Sequence, residues 1–159
     1  MCKATIFKAG LQIADLDRHY YGDHALTLAR HPSETDERMM VRILAFALNA
    51  DERLKFSKGL CVDDEPDLWR KDLTDDIELW IDLGQPDEKR IRKACARAER
   101  VTIYAYQPRA ARIWWSQVAA DLAPRADVES GERPVEEEEA RPLGSSDIGV
   151  VVTPFLQAA

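Results

Sequence analysis

The sequence lacks long apolar runs and has little cysteine. No N-terminal segment is apolar enough for a secretory signal, and no segment approaches the roughly 20 apolar residues of a membrane-spanning helix. The three cysteines lie far apart, without a Cys-x-x-Cys pair, which argues against both a disulfide framework and a zinc cage. We therefore expect a cytoplasmic protein with reduced thiols and no membrane partner.

Histidine is also scarce, and basic residues are outnumbered by acidic ones. His19, His24 and His31 have no helical spacing that would join them in a metal site. The net charge of -7 argues against a nucleic-acid partner, because a phosphate backbone repels an acidic surface. However, nine acidic and three basic residues lie from Asp121 onward. The preceding part of the chain is therefore close to neutral.

What the sequence does contain is the length and patterning of one compact domain. Alternating β-type residues over 4–17 and 20–29 predict an N-terminal hairpin. Further strands are predicted over 54–62, 77–84 and 101–106, and helices over 34–49, 86–100 and 110–118. On the first helix, the apolar spacing predicts a buried stripe of Met40, Ile43, Leu44, Ala47 and Leu48.

This order of elements predicts an α/β (α+β) fold, in which a mixed β-sheet is flanked by helices in a single domain over residues 1–120. Residues 121–147 are rich in Pro and Glu, which predicts a poorly ordered segment. Residues 148–159 are predicted to supply a terminal strand of the same domain, at an edge or an end because of Pro154.

The strand over 77–84 carries two acids on one face. Side chains alternate along a strand, so Glu78, Trp80 and Asp82 share one side. Either that face is solvated, or the acids are ligands. Upstream, the acidic cluster over 63–67 is either a solvated loop or an oxygen-rich site for a hard cation. Downstream, Lys89, Lys93 and Arg97 recur every four residues and form a basic ridge on the next helix.

Several segments resemble the bacterial YaeQ family, in the family's order and over about the first three quarters of the chain. They are residues 26–40, 59–66 (Gly-Leu-Cys-Val-Asp-Asp-Glu-Pro), 79–84 (Leu-Trp-Ile-Asp-Leu-Gly), 86–87, 92–94 and 109–115 (Arg-Ala-Ala-Arg-Ile-Trp-Trp). The resemblance implies a compact α/β fold that is a variant of the PD-(D/E)XK restriction-endonuclease-like fold. It does not supply an established activity, so a nuclease function is analogy at the level of fold.

Carried over residue by residue, the resemblance makes Asp82 the acid of the (D/E)XK half-motif. Gly84 stands where the usual lysine would share its face, and Lys93 or Lys89 on the following helix is the expected substitute. Magnesium or manganese would be held by acids from several elements. The implied metal ligands are Asp82, Glu37 and a further acid, which is either Glu78 or one of the acids over 63–65, with the choice between Asp64 and Glu65 left open.

Three functions follow from this assignment. The first is a magnesium-dependent nuclease in which Asp82, Glu37 and Lys93 are catalytic. The alternative is a non-catalytic member of the fold that binds nucleic acid or protein in connection with transcription, and a weaker third is protein contact through an exposed sheet edge. Phosphate contacts are expected from Lys89, Arg97, Arg109 and Arg112. Trp114 and Trp115 either stack on bases or belong to the core.

Overall fold

The structure is a computed structural model that describes residues 3–58, 62 and 64–122. Its elements, in chain order, are β1 (Thr5–Asp15), β2 (Tyr20–Arg30), α1 (Asp36–Leu48), β3 (Leu54–Phe56), β4 (Leu68–Lys71), β5 (Ile77–Leu83), α2 (Glu88–Arg97), β6 (Ala98–Tyr104) and α3 (Pro108–Leu122). The predicted segment over 121–147, apart from the last two residues of α3, and the predicted terminal strand over 148–159 lie outside the described residues.

The predicted N-terminal hairpin is confirmed. β1 and β2 pair antiparallel without interruption, from Thr5 opposite Arg30 to Asp15 opposite Tyr20. Because side chains alternate along β1, Leu11 and Ile13 share one face, and both pack against the main apolar core. The hairpin forms a two-stranded sheet of its own, and one of its faces lies against this core.

The second sheet has four strands in the order β3-β4-β5-β6. β3, β4 and β5 are antiparallel neighbours, whereas β5 and β6 are parallel and are joined through α2. A parallel pair needs such a crossover, because the chain must return to the starting edge of the sheet. The predicted mixed α/β architecture is thus confirmed, and it brings the carboxyl ends of β5 and β6 to the same edge.

The sheet is covered on both faces. Leu79, Ile81 and Leu83 of β5 join a core with α1 and the hairpin, while Trp80 joins a second core built from α2, β6 and α3. Trp80 is 1% exposed. The face that carries Trp80 and Asp82 is therefore not a solvated face of an edge strand, because β5 is central and α2 packs over that face. The predicted placement of Glu78 on the same face is wrong, because the β4–β5 register shifts beside it and Ile77 joins the Trp80 core instead.

The predicted buried stripe of α1 is wrong. Met40, Leu44 and Leu48 are 57%, 37% and 45% exposed, and Ile43 and Ala47 are only partly buried. The face that enters the core consists of Val41, Arg42, Ala45 and Phe46. The helix is rotated relative to the prediction because a charged side chain, Arg42, occupies a place on the buried face that the apolar pattern assigned to solvent.

Two short strands also differ from the prediction. β3 ends at Phe56 rather than at residue 62. The next residue, Ser57, still donates its N–H to the Asp67 carbonyl and its hydroxyl to the Pro66 carbonyl, which ties it to the segment before β4. β4 is a strand that the sequence pattern does not predict, because its four residues lie between two acidic stretches that resemble loops. In the described part of the chain, no helix is long and apolar enough to cross a membrane.

Candidate functional site

Asp82 lies at the carboxyl end of β5 and is 2% exposed. Its carboxylate accepts two hydrogen bonds from Arg90: Nε to Oδ2 at 2.9 Å and Nη2 to Oδ1 at 2.9 Å. The indole N–H of Trp80 donates a third, at 3.0 Å. A two-point guanidinium–carboxylate pair is the strongest geometry available to such groups, so Asp82 is held firmly between strand and helix.

Arg90 is positioned by the start of α2. The N-cap residue Asp87 accepts the Arg90 backbone N–H at 2.7 Å, which fixes the first turn of the helix. The guanidinium then spans from Asp82 to the backbone carbonyl of Glu65, which accepts from Nη2 at 2.8 Å. Arg90 therefore joins three segments: the end of β5, the start of α2 and the loop before β4.

A second buried acid, Asp67, lies beside the same strand end and was not among the predicted site residues. Its N–H donates to the carbonyl of Ile81 at 3.0 Å, and its Oδ2 accepts the N–H of Leu83 at 2.9 Å. Arg38 of α1 forms an ion pair with this carboxylate, with Nη2 2.8 Å from Oδ1. Burial raises the pKa of Asp67, Arg38 opposes that effect, and the negative charge of Asp82 adds to it.

Glu34 is the third buried acid that sequence reasoning missed. It pairs with Arg38 at 3.1 Å and with Arg42 at 2.9 Å, and its side chain is 2% exposed. The available signal was the pair of arginines four and eight residues after this acid, since Arg38 and Arg42 share one side of α1 and Glu34 lies just before its N-cap. The cap of α1 is the next residue, Thr35, whose side chain accepts the N–H of Arg38.

Glu37, the predicted first-helix carboxylate, does not join this group. Its side chain is exposed, and it makes no hydrogen bond or ion pair with any residue in the described ranges. It lies on the same outer side of α1 as Met40 and Leu44. The acid that joins the buried network is instead Glu34, which lies three residues earlier, just before α1.

Glu78 lies at the opposite end of β5 from Asp82. Four residue steps along the strand separate them by about 13 Å, at roughly 3.3 Å per step. Glu78 pairs with Arg53 at 3.0 Å and with Arg70 at 2.8 Å, and hydrogen bonding from Arg53, ahead of that from Arg70, lowers its pKa. The two acids of the strand thus belong to separate ion-pair groups.

Lys93 contacts Asp64 rather than Asp82. Hydrogen bonding from Lys93 lowers the pKa of the Asp64 carboxyl. Arg97 donates to the Asp64 backbone carbonyl at 2.8 Å and lies 5.4 Å from the centre of the Trp80 ring. The predicted lysine and one predicted acid are therefore brought together, but as an exposed ion pair on the outer face of α2.

Gly84 follows β5 with φ of 90°. L-residues with side chains rarely adopt this conformation, so the position has a backbone reason to hold glycine. Its N–H donates to the carbonyl of Tyr104 at 2.9 Å, which ties the turn to β6. A lysine here would strain the turn, and this explains why the expected (D/E)XK lysine is missing.

The arrangement does not fit a magnesium ion. The oxygens of Asp82 and Asp67 that a hard cation would need are bonded to guanidinium and N–H donors, and a cation beside Arg90 or Arg38 would be repelled. No three His, Cys, Asp or Glu side chains are grouped for metal binding within residues 3–58, 62 and 64–122. Glu37 and Glu78 lie outside the group, and Asp64 is paired with Lys93.

The predicted phosphate-contacting residues lie on the outer faces of α2 and α3. Lys89, Arg109 and Arg112 are exposed and make no hydrogen bond or ion pair with other residues that the structure describes. Trp114 belongs to the core, is 7% exposed and donates its indole N–H to the Pro86 carbonyl at 2.7 Å. That contact holds α3 against the start of α2.

Both helices begin at the edge of the sheet where the parallel strands β5 and β6 end. Helix N-termini carry partial positive charge. Residues 84–122 contain eight basic and four acidic residues, whereas residues 1–83 contain eleven basic and seventeen acidic ones. Charge is thus segregated along the chain, and the α2–α3 layer is the basic part of an otherwise acidic protein.

Comparison with known proteins gives a consistent result. The model of the family described as YaeQ protein matches residues 1–139. The uncharacterized protein YaeQ of Escherichia coli (strain K12) is 58% identical over 115 residues, which cover 72% of this chain and 64% of that protein. The match therefore spans less than two thirds of that relative's length.

Two solved structures are similar as well. The crystal structure of the YaeQ protein from Xanthomonas axonopodis pv. citri has a TM-score of 0.72 at 58% identity, with 77% of this chain and 69% of that chain covered. The crystal structure of the YaeQ protein from Pseudomonas syringae has a TM-score of 0.76 at 35% identity, with 95% and 72% covered. The fold described above is thus similar to experimental folds of related chains.

Proposed function

This chain belongs to the YaeQ family, and from its site geometry we propose that it binds nucleic acid through the phosphate backbone without cleaving it. The observation that carries the proposal is the pairing of Asp82 with Arg90. The acid expected to hold a catalytic metal is instead neutralised by a fixed guanidinium at two points. This removes the chemical centre of a metal-dependent nuclease while leaving the basic layer beside it intact.

Binding is assigned to the outer face of α2 and α3. Three cations on these helices, Lys89, Arg109 and Arg112, are exposed and have no hydrogen-bond or ion-pair partner among the described residues, so phosphate oxygens would displace no partner within that part of the chain. The helix N-termini at the same edge favour anions. With Trp114 and Trp80 buried, the expected contacts are to phosphates rather than to stacked bases.

Magnesium-dependent cleavage is the competing function, and one observation favours it. Asp67 and Asp82 are both buried beside the end of β5, and a pair of carboxylates at neighbouring strand ends is the usual start of a metal site. For cleavage, Arg90 and Arg38 would have to leave these carboxylates. Leaving two buried carboxylates without their arginine partners is costly, and this makes cleavage the weaker function.

The test measures binding and cleavage together. Fluorescence anisotropy with a short labelled duplex and a single strand, each in EDTA and in Mg²⁺, is expected to give a salt-sensitive complex that is indifferent to the chelator. Arg109→Glu with Arg112→Glu should weaken binding and make the slope of log K against log salt shallower by about 0.9 for each lost duplex phosphate contact. The matched control, Lys8→Glu with Lys55→Glu, reverses the same number of exposed charges outside the α2–α3 layer.

Equal loss of binding in both double variants would mean that net charge alone drives association. The absence of any salt-sensitive complex would refute the proposal. Cleavage products that appear only with Mg²⁺ would replace binding by hydrolysis as the function.

A further inference from the structure

The guanidinium of Arg90 lies among oxygen atoms of the types that bind hard cations. Its acceptors among the described residues include three oxygens: both carboxylate oxygens of Asp82, each at 2.9 Å, and the backbone carbonyl of Glu65 at 2.8 Å. Carboxylate and carbonyl oxygens are also the usual ligands of Mg²⁺ and Ca²⁺. The cation in this place is supplied by the chain itself.

A permanent positive charge is needed there. Asp82 and Asp67 are each 2% exposed, and two buried carboxylates at one strand end repel each other unless cations compensate them. Arginine stays protonated at any physiological pH, and its planar fork matches a carboxylate at two points. A lysine would supply the charge but not the fork.

The place is also reachable from solvent. The Arg90 side chain is 30% exposed, whereas the Asp82 side chain is 3% exposed. Removing the guanidinium would therefore open a polar recess from the surface down to Asp82. Such a recess admits a hydrated divalent ion, which keeps several of its waters and needs few protein ligands.

We propose that Arg90 is the resident cation of this site, standing where a divalent metal would otherwise bind, and that removing its guanidinium turns Asp82 and the Glu65 carbonyl into a divalent-cation site. The wild-type protein is accordingly independent of metal for its fold. The proposal concerns the site alone and does not depend on whether the basic layer binds nucleic acid.

Thermal unfolding in EDTA, Mg²⁺ and Mn²⁺ at constant ionic strength tests the proposal. Wild-type protein is expected to unfold at the same temperature in all three. Arg90→Ala should unfold at a lower temperature in EDTA, and Mn²⁺ should raise that temperature by several degrees in a saturable way. Arg90→Ala combined with Asp82→Asn should lose the metal response.

Two further variants separate a built cation site from a general effect of lost charge. Arg92→Ala removes an arginine from the same helix that pairs with Glu88, and it should show no metal response. Arg90→Lys keeps the charge without the fork, so it should be intermediate in stability and unresponsive to metal. If Arg90→Ala is unfolded in EDTA, recovery of its far-UV circular dichroism on adding Mn²⁺ is the expected result.

Either of two results would overturn the proposal. One is a metal-dependent rise in the unfolding temperature of the wild type, which would mean that a divalent ion already binds beside Arg90. The other is an Arg90→Ala variant that neither gains stability nor refolds with Mg²⁺ or Mn²⁺, since the recess would then have no affinity for a cation.

Discussion

Arg38 extends from the first turn of α1 to Asp67, and its Nη2 atom lies 2.8 Å from Oδ1 of that carboxylate. The same guanidinium contacts Glu34 through Nη1 at 3.1 Å. Burial lowers the pKa of Arg38, but the charges of Asp67 and Glu34 and their hydrogen bonds outweigh burial and raise it. Arg38 thus remains charged and links α1 to the end of β5 where Asp82 lies.

The first prediction concerns pH. The pKa of Asp67 is raised in the folded state, chiefly by burial, so the unfolded chain loses this proton at lower pH than the folded protein does. The stability contributed by Asp67 is complete below its ordinary pKa and declines as pH rises toward the folded value. Relative to Asp67→Asn, the wild type should therefore lose free energy of unfolding as pH rises above about 3.9.

Urea unfolding of both proteins across the acid and neutral range measures this difference. The comparison cancels groups whose pKa is lowered, such as Asp15, Asp64 and Glu78, because both proteins contain them. Parallel curves for the two proteins would mean that Asp67 has the same pKa in both states, contrary to the prediction.

The second prediction separates Glu34 from Glu37. Glu34→Ala removes the buried partner of Arg42, whose side chain is 2% exposed, and leaves that charge without a carboxylate. Removing one member of a buried ion pair costs about 3–5 kcal/mol. Glu37→Ala changes an exposed side chain one turn away and should leave the free energy of unfolding nearly unchanged. Chemical denaturation of both variants makes the comparison, and equal effects would contradict it.

The buried face of α1 could not be predicted from the sequence. A charged residue is normally solvated, so the apolar pattern over 34–49 places Arg42 outside and Met40 inside, although the structure has the reverse. Nothing in the apolar periodicity reports that Glu34 neutralises Arg42 within the core. Which acid pairs with which arginine depends on how α1 packs on β5, and this packing is a tertiary property.

Elements with strong local signals were predicted better. The hairpin, the strand over 77–84 and the helix after Pro86 follow from alternation and capping, and all three are confirmed. Asp82 is predicted as a site acid, and the structure buries it at the strand end, where Arg90 and Trp80 bond to its carboxylate. Its partner was not predicted, because Arg90 lies one residue from Lys89 on a helix whose basic face resembles a solvated ridge.

The third prediction concerns the turn after β5. Gly84 has φ of 90°, and the space that a Cβ atom would fill there is open, so the cost of a side chain comes from the backbone alone. Gly84→Ala should lower the free energy of unfolding by about 1–2 kcal/mol. Gly10→Ala on β1 is the control, because that site is equally open but has no positive φ. A Gly84→Ala variant as stable as the Gly10→Ala variant would show that the turn tolerates a side chain.

The fourth prediction tests which face of α1 is buried. Phe46 is 2% exposed and stacks on Phe56 with ring centres 5.5 Å apart, so Phe46→Ala should cost about 3–5 kcal/mol through lost burial and the cavity left behind. Leu44 lies two residues earlier and is 37% exposed, so Leu44→Ala should cost much less. If the apolar stripe predicted from the sequence were the buried one, the order of these two effects would be reversed. Urea denaturation of the pair therefore decides the orientation of the helix that carries Arg38 and Arg42, and with it the position of the buried network beside Asp82.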